Sequence, residues 1–535
     1  MKLLLTRWAL ALILGSFFVA GAAVGSSQEP EPALQEIRLP KRYYGIKKPL
    51  EECSPEDLNR ADGIGITPLT RTVLYNELDM VQKFLSAGAR ADFKNEHGRT
   101  ALHEVFNPKY IGAWSDKRPD PEIIKLLVKS GAEVDGKDNS GLSPLLWACL
   151  VTPDPEVIDT LLELGADPLA ATESGLTPAL AAARNPNMEI MRKIIAAGGN
   201  VMDKSVDGDT ALMQAAEKNS NKDMIEFLIK AGVELEARNK YDASALYLAA
   251  GNNPHPEISR TLLEAGADPN QVVKPRKVGL TPTLAAAKNS NPQVIRLLVD
   301  FGGDLRARDI YQRDVLMIAV ESSSAEPPDK LEIVRYLLES GLTPKSRSVY
   351  QATALHYAAR SGLFFSSLDI FRLLLEAGAD PNARDDYGRT PIMWLAPSSG
   401  GSDPRAIELI SLLMEYGADI NSRDSNGDTA LNLAARQLAI GSIFEPLLKA
   451  GADPNLANQA GETPLMWAAK INREPEEVLP LLVQYGARLD LKSKGGSRLR
   501  DWLKLDLEEK TVYDWARQNE YADAEEVLKS LEDAK

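Results

Sequence analysis

The stretch Leu373–Ala396, LLLEAGADPNARDDYGRTPIMWLA, decides the fold. Its leucines Leu373–Leu375 form the apolar end of a helix, and Gly378 supplies the left-handed residue that stops it. Asp380-Pro381-Asn382 then turns the chain outward into a polar, hairpin-like segment. On the far side Thr390 offers a hydroxyl to cap the next helix, and Pro391 fits its first turn without losing a hydrogen bond. One such unit cannot bury its apolar face alone, so the stretch makes sense only if copies of it stack.

Self-comparison supplies the copies. Thr-Pro-Leu or a near variant starts at Thr67, Thr100, Ser143, Thr177, Thr210, Ser244, Thr281, Asp314, Thr353, Thr390, Thr429 and Thr463. The successive spacings are 33, 43, 34, 33, 34, 37, 33, 39, 37, 39 and 34 residues, a period that marks stacked repeats. In each of the twelve units a Gly closes the second apolar run: Gly88, Gly131, Gly165, Gly198, Gly232, Gly266, Gly302, Gly341, Gly378, Gly417, Gly451 and Gly486. Paired alanines such as Ala249-Ala250 let helices approach closely, and pairs such as Leu374-Leu375 form the buried stripe of the second helix.

The pattern resembles the ankyrin-repeat family, whose Gly-x-Thr-Pro-Leu-His-x-Ala-Ala and Leu-Leu-x-x-Gly-Ala-Asp motifs are matched closely at Tyr350–Ala359 and Leu374–Asn382. The resemblance covers roughly Asp62 to the C-terminus. It implies an all-α solenoid of 12–13 helix-turn-helix repeats, with hairpin fingers along one edge and protein binding on the concave face of fingers and first helices. The family's His persists as His103 and His356, while Met213, Met317, Met393 and Met466 take that slot elsewhere. Asp314-Val315-Leu316 lacks the Thr-Pro start, which makes the eighth unit the weakest match. A thirteenth, capping unit is suggested by Thr511-Val512-Tyr513-Asp514-Trp515-Ala516.

Counting from the capping slot to the closing Gly gives 21 residues in units 1, 4 and 7, against 31 in unit 2, 27 in units 8 and 10 and 25 in unit 9. The extra residues are expected between the two helices. The longest insertion, Asn107–Arg118 with Tyr110 and Trp114, reads as a loose loop or a contact loop.

The ends differ in kind. Lys2 and Arg7 precede an apolar run from Trp8 to Val19, and Ala20-Gly21-Ala22 fits a signal-peptidase site. Residues 1–22 are therefore expected to be a secretory signal, with the mature chain starting at Ala23. An uncleaved anchor is the competing reading, since Trp8–Gly25 holds 18 apolar or small residues. None of the 24 Asn lies in an Asn-X-Ser/Thr sequon, which favours a bacterial envelope over a glycosylating pathway. Residues 23–61 read as a linker and N-terminal cap, with Ser54-Pro55-Glu56-Asp57 as a helix start. Twelve repeats then fill 62–486, and 487–535 hold an insertion and the capping repeat.

A formal charge of −15 with no long basic block argues against nucleic-acid binding. Four histidines stand singly, so no zinc cluster is expected. Asp203–Gly208 looks like a calcium loop, but Gln214 replaces the bidentate Glu, and the repeat register accounts for it. Cys149 falls on an alanine slot and Cys53 precedes the first repeat, too far off for a disulfide. No catalytic, cofactor or metal site is read.

Two rows are candidates for protein binding. Seven residues after the capping slot stand Arg184, Lys288, Arg360, Arg436 and Lys470. Three before it, at the fingertip, stand Tyr241, Tyr311, Tyr350 and Tyr387. Trp147, Trp394, Trp467 and Tyr357, four after the slot, are expected to pack in the core. The expectation is a monomeric, exported scaffold in the periplasm that binds a protein and catalyses nothing, with a secreted effector binding a protein of another cell as the alternative and an enzyme with an unrecognised site as a further one.

Overall fold

The computed structural model describes residues 50–494 apart from 64, 108–118, 273–278, 323–326, 366, 397–404, 437–442, 472–474, 489–490 and 492. The signal segment, most of the linker, Tyr110, Trp114, the side chain of Lys470 and the unit at Thr511–Ala516 lie outside them. Among the described residues the chain is helical, with one isolated bridge between Lys204 and Thr210 in a finger.

Every unit is a helix pair. Unit 3 pairs Pro144–Val151 with Pro155–Glu163, unit 5 pairs Ala211–Lys218 with Lys222–Lys230, and unit 9 pairs Ala354–Phe365 with Leu368–Glu376. The capping slot behaves as its chemistry requires: the side chains of Thr67, Ser143, Thr210 and Thr281 accept the backbone N–H three residues on. Unit 8 solves its missing Thr-Pro with a carboxylate, since Asp314 accepts the Met317 N–H at 2.9 Å. Ser54 and Asp57 form a capping box on the preceding helix Pro55–Asn59.

All twelve closing glycines, Gly88 to Gly486, have φ between 85° and 101°, the left-handed residue that ends each second helix. The insertions are not only loops: in unit 9 the first helix runs on to Phe365, and in unit 8 the second helix, Pro327–Glu339, takes 13 residues.

Fingers owe their shape to a residue the motif leaves unremarked, five before the capping slot. Its side-chain oxygen accepts two N–H groups of its own turn, as Asp138 does from Ser140 and Leu142 and Asp385 from Tyr387 and Arg389. Two residues before the slot the chain enters the left-handed region; nine units use Gly there, while Asp242, Gln312 and Gln351 hold φ of 62°, 56° and 57°. Neighbouring tips are joined by main-chain bonds, including Asn139 N–H to His97 O and Asp386 N–H to Tyr350 O. Lys494 N–H donates to Ala460 O in the same register, so a further finger begins after Gly486.

Buried apolar side chains form one continuous core from Leu58 to Ala487, as stacking demands. Polar ladders run beside it. Asn185, Asn219, Asn253 and Asn289 are buried just after the first helices of units 4–7, and each donates to two carbonyls of the unit before. Each also accepts the N–H two residues on, so these carboxamides are fully used. Further along, Asn382, Asn421 and Asn455 at the finger bases bind the closing Gly carbonyl of the next unit and accept an N–H beyond it.

Candidate protein-binding face

Two residues, four and three before the capping slot, make each fingertip. In units 2–5 these pairs are chiefly polar: Glu96-His97, Asn139-Ser140, Glu173-Ser174 and Val206-Asp207. From unit 8 they become Ile310-Tyr311, Val349-Tyr350 and Asp386-Tyr387, and the tyrosines are 37%, 47% and 59% exposed. The Tyr311 and Tyr350 rings stack with centroids 6.2 Å apart. Arg313 lies 5.5 Å from the Tyr311 ring centre and Arg389 4.8 Å from that of Tyr387.

Tyr241 does not belong to this set. It is half-buried, its hydroxyl donates to Asp207 at 3.3 Å, and the Lys240 ammonium sits 5.2 Å from its ring. The exposed row is three tyrosines, not four, because the neighbouring finger offers Tyr241 a carboxylate.

Behind the tips the concave wall of units 8–10 carries interlocked charges and rings. Arg313 binds Asp309 at 2.7 Å and Glu321 at 2.5 Å, and Arg360 also pairs with Glu321. Arg389 binds Asp385 at 2.8 Å, and the Trp394 indole N–H donates to the same carboxylate at 2.9 Å. Arg360 lies 5.2 Å from the Tyr357 ring centre and 5.6 Å from that of Trp394. Trp147 and Tyr357 are buried, but Trp394 in this wall and Trp467 in unit 12 are only half-buried, packed against the edge of the core.

The basic helix-end row is not a uniform cationic strip. Arg184 is half-buried with its Nε–H on Gln214, and burial lowers its pKa. Lys288 is half-buried too, and burial, then the Arg313 charge, lowers its pKa. Arg436 is exposed, pairs with Asp428 at 3.3 Å and covers the Trp467 ring at 5.2 Å.

The histidines of the family slot are structural. His356 Nδ1 accepts the Thr353 N–H at 3.1 Å and its Nε2–H donates to Arg389 O at 3.0 Å, which fixes a neutral tautomer. Burial pushes its pKa down to about 4. His103 makes the same pair with Thr100 and Gly136 O, and Asn432 reproduces it in unit 11 with its amide. Cys53 and Cys149 are unbridged, and burial raises the Cys149 thiol pKa. Among the described residues no group of three or more His, Cys, Asp or Glu could hold a metal, and no helix is long and apolar enough to cross a membrane.

A family model described as "Ankyrin repeats (3 copies)" matches residues 179–273, 246–348, 329–385, 365–458 and 403–493. The chain belongs to the ankyrin-repeat family. A Caenorhabditis elegans homolog of transient receptor potential cation channel subfamily A member 1 is similar to this ankyrin protein, 31% identical over 113 residues. That match covers 18% of this chain and 9% of the channel, so the chain spans under a tenth of that relative. The crystal structure of the human ASB11 ankyrin repeat domain is 24% identical and covers 46% of this chain and 100% of that one, with a TM-score of 0.38.

Sequence reasoning located the tyrosine and helix-end rows but missed two features. The finger arginines beside the tips repeat six residues before the slot, and the buried Asn ladder announces itself as Asn-x-Asn after three first helices, as in Asn185-Pro186-Asn187.

Proposed function

We propose that this ankyrin protein is an exported, non-catalytic scaffold of the cell envelope, residing in the periplasm, that binds a protein partner on the fingers and concave wall of units 8–10. One observation carries the choice of face: exposed aromatic and aliphatic side chains occupy the tips of three consecutive fingers, Ile310-Tyr311, Val349-Tyr350 and Tyr387. Tyr brings large contact area with few rotatable bonds and a hydroxyl to pair, and contiguous exposed apolar surface marks interaction sites. Export rests on the n-region, apolar run and Ala20-Gly21-Ala22.

Crosslinking capture from native envelopes tests the face. The parent should retain a partner that the folded triple variant Tyr311→Ala, Tyr350→Ala, Tyr387→Ala loses, and equal capture by both would place the contact elsewhere. Fractionation with N-terminal sequencing tests the location. A periplasmic chain starting at Ala23 supports the proposal, an intact Met1 on membrane-extracted protein replaces it with an anchored form, and recovery from the medium favours the secreted effector.

A further inference from the structure

The concave-face arginines of units 8–10 are paired with carboxylates, but a second arginine row on the fingers is not. Arg308, Arg347, Arg384 and Arg423 stand six residues before consecutive capping slots and are all exposed. Each extends across to the next finger. Arg308 Nη1 donates to Gln312 O at 2.9 Å and Arg347 O at 3.1 Å, and Arg347 Nη1 to Gln351 O at 2.9 Å and Arg384 O at 2.8 Å. Arg384 Nη1 donates to Gly388 O at 3.1 Å and Arg423 O at 2.7 Å, and Arg423 Nη1 to Ala457 O at 2.6 Å.

In the first three arginines both Nη1 protons are thus spent on main chain, which restrains the guanidinium and leaves the Nε–H and Nη2–H edge of an exposed side chain without a hydrogen-bond partner among the described residues. That edge is the fork that takes a carboxylate through two parallel hydrogen bonds. Among the described residues none of the four forms an ion pair, whereas Arg238, the same position in unit 6, binds Asp242 at 2.8 Å. Four unpaired, pre-positioned guanidiniums in a row stand out on a chain of net charge −15.

Spacing narrows the occupant. Stacked helices lie about 10 Å apart, so the row repeats at about that distance. A polyproline II segment advances about 3.1 Å per residue with three residues per turn, which brings every third side chain to one edge at about 9.3 Å. A β-strand puts every third residue on alternate faces and fits poorly. Resting on the reading that this face binds a protein, we propose that the finger row Arg308, Arg347, Arg384 and Arg423 holds an extended, polyproline-like segment of the partner carrying a carboxylate at every third residue, alongside the tyrosine tips.

Fluorescence anisotropy with the full chain tests this at about 20 mM ionic strength, where surface charges are weakly screened. The probe is a labelled peptide of six Glu-Pro-Pro triplets; the controls are a peptide of the same composition with contiguous glutamates, a Lys-Pro-Pro peptide and an oligothymidylate. The triplet peptide should bind best. The quadruple Arg→Gln variant should weaken it roughly tenfold or more, since four exposed charge pairs are lost together, while its helical content by circular dichroism stays that of the parent. If that variant does not fold, Arg347→Gln and Arg384→Gln singly should each weaken it by about twofold or more, while Arg192→Gln on the second helix of unit 4 leaves it unchanged. Equal binding by parent and finger variants, no preference for the triplet spacing, or tighter oligothymidylate binding that the finger variants lose would each overturn the assignment. No peptide binding, together with tyrosine-dependent capture of a native partner, overturns this inference and leaves the protein-binding face standing; capture indifferent to the tyrosines removes that face instead.

Discussion

Units 4–7 and units 8–10 share one repeat plan and spend their polar residues differently. The earlier group buries Asn185, Asn219, Asn253 and Asn289 in a ladder that ties each first-helix end to the unit before it. The later group carries insertions where that ladder would run, and Ser361 in unit 9 offers only a hydroxyl to Val320 and Ala358 carbonyls. Its polar residues move to the fingers and the concave wall, where Arg313 and Arg389 lie against the Tyr311 and Tyr387 rings and Arg360 and Arg389 against Trp394. Uniform units thus lock their turns internally, and irregular units present groups to the outside. Since binding residues are commonly carried by projecting segments on a rigid scaffold, the contrast is what the proposed division into a stiffening region and a contact region requires.

The sharpest way to break this contrast is to cut the ladder. Asn253→Ala should cost about 2–4 kcal/mol in urea denaturation, because it removes two donated bonds and one accepted bond and leaves buried carbonyls unpaired. Ser361→Ala should cost less than about 1 kcal/mol. Equal losses would mean that the two regions are stiffened alike.

Acid should strike the later group at His356. Its folded pKa of about 4 lies below the ordinary imidazole value of 6.5, so its contribution to stability is full above pH 6.5 and is lost as pH falls from 6.5 toward 4. The loss approaches about 3 kcal/mol at the acid end. His356→Asn copies the Asn432 arrangement and should flatten that slope while keeping the fold. A slope that persists in the variant assigns the acid sensitivity to other groups.

At the fingertips the expected split is between binding and folding. Tyr311→Ala, Tyr350→Ala and Tyr387→Ala should each change stability by no more than about 0.5 kcal/mol, while at least one weakens partner binding by about 1–3 kcal/mol. Tyr241→Ala should instead cost about 1 kcal/mol of stability, through its Asp207 hydrogen bond, and leave binding alone.

The smallest effect concerns the finger backbone. Gln351 holds φ of 57°, a conformation costly for a residue with a Cβ, so Gln351→Gly should stabilise by up to about 1 kcal/mol in thermal denaturation. Gly388→Gln, one finger on, should destabilise, since its Cβ would lie 3.1 Å from the Ser425 nitrogen. A stabilising Gly388→Gln would show that the fingers tolerate side chains throughout.

Much of this architecture is legible in the chain because its causes are local. A hydroxyl before Pro caps a helix, a Gly after a leucine pair ends one, and twelve copies leave stacking as the only way to bury the stripes. Even Asp314 in the eighth unit could be read as a cap, since carboxylates serve there as well as hydroxyls. The tyrosine row was legible too, apart from Tyr241, whose burial depends on Asp207 in the preceding finger.

The sequence by itself determined the repeat, its register and the caps and stops of the regular helices, all of which follow from contacts within about one unit. Only the tertiary structure decided which outward charges are already spent. Arg360 and Arg436 read as free cations along the chain, yet Glu321 and Asp428 hold them, whereas Arg308, Arg347 and Arg384 meet carbonyls and no carboxylate. Those partners come largely from neighbouring units, roughly 30 to 40 residues away in sequence, and a charge's availability depends on what stacking brings within about 4 Å.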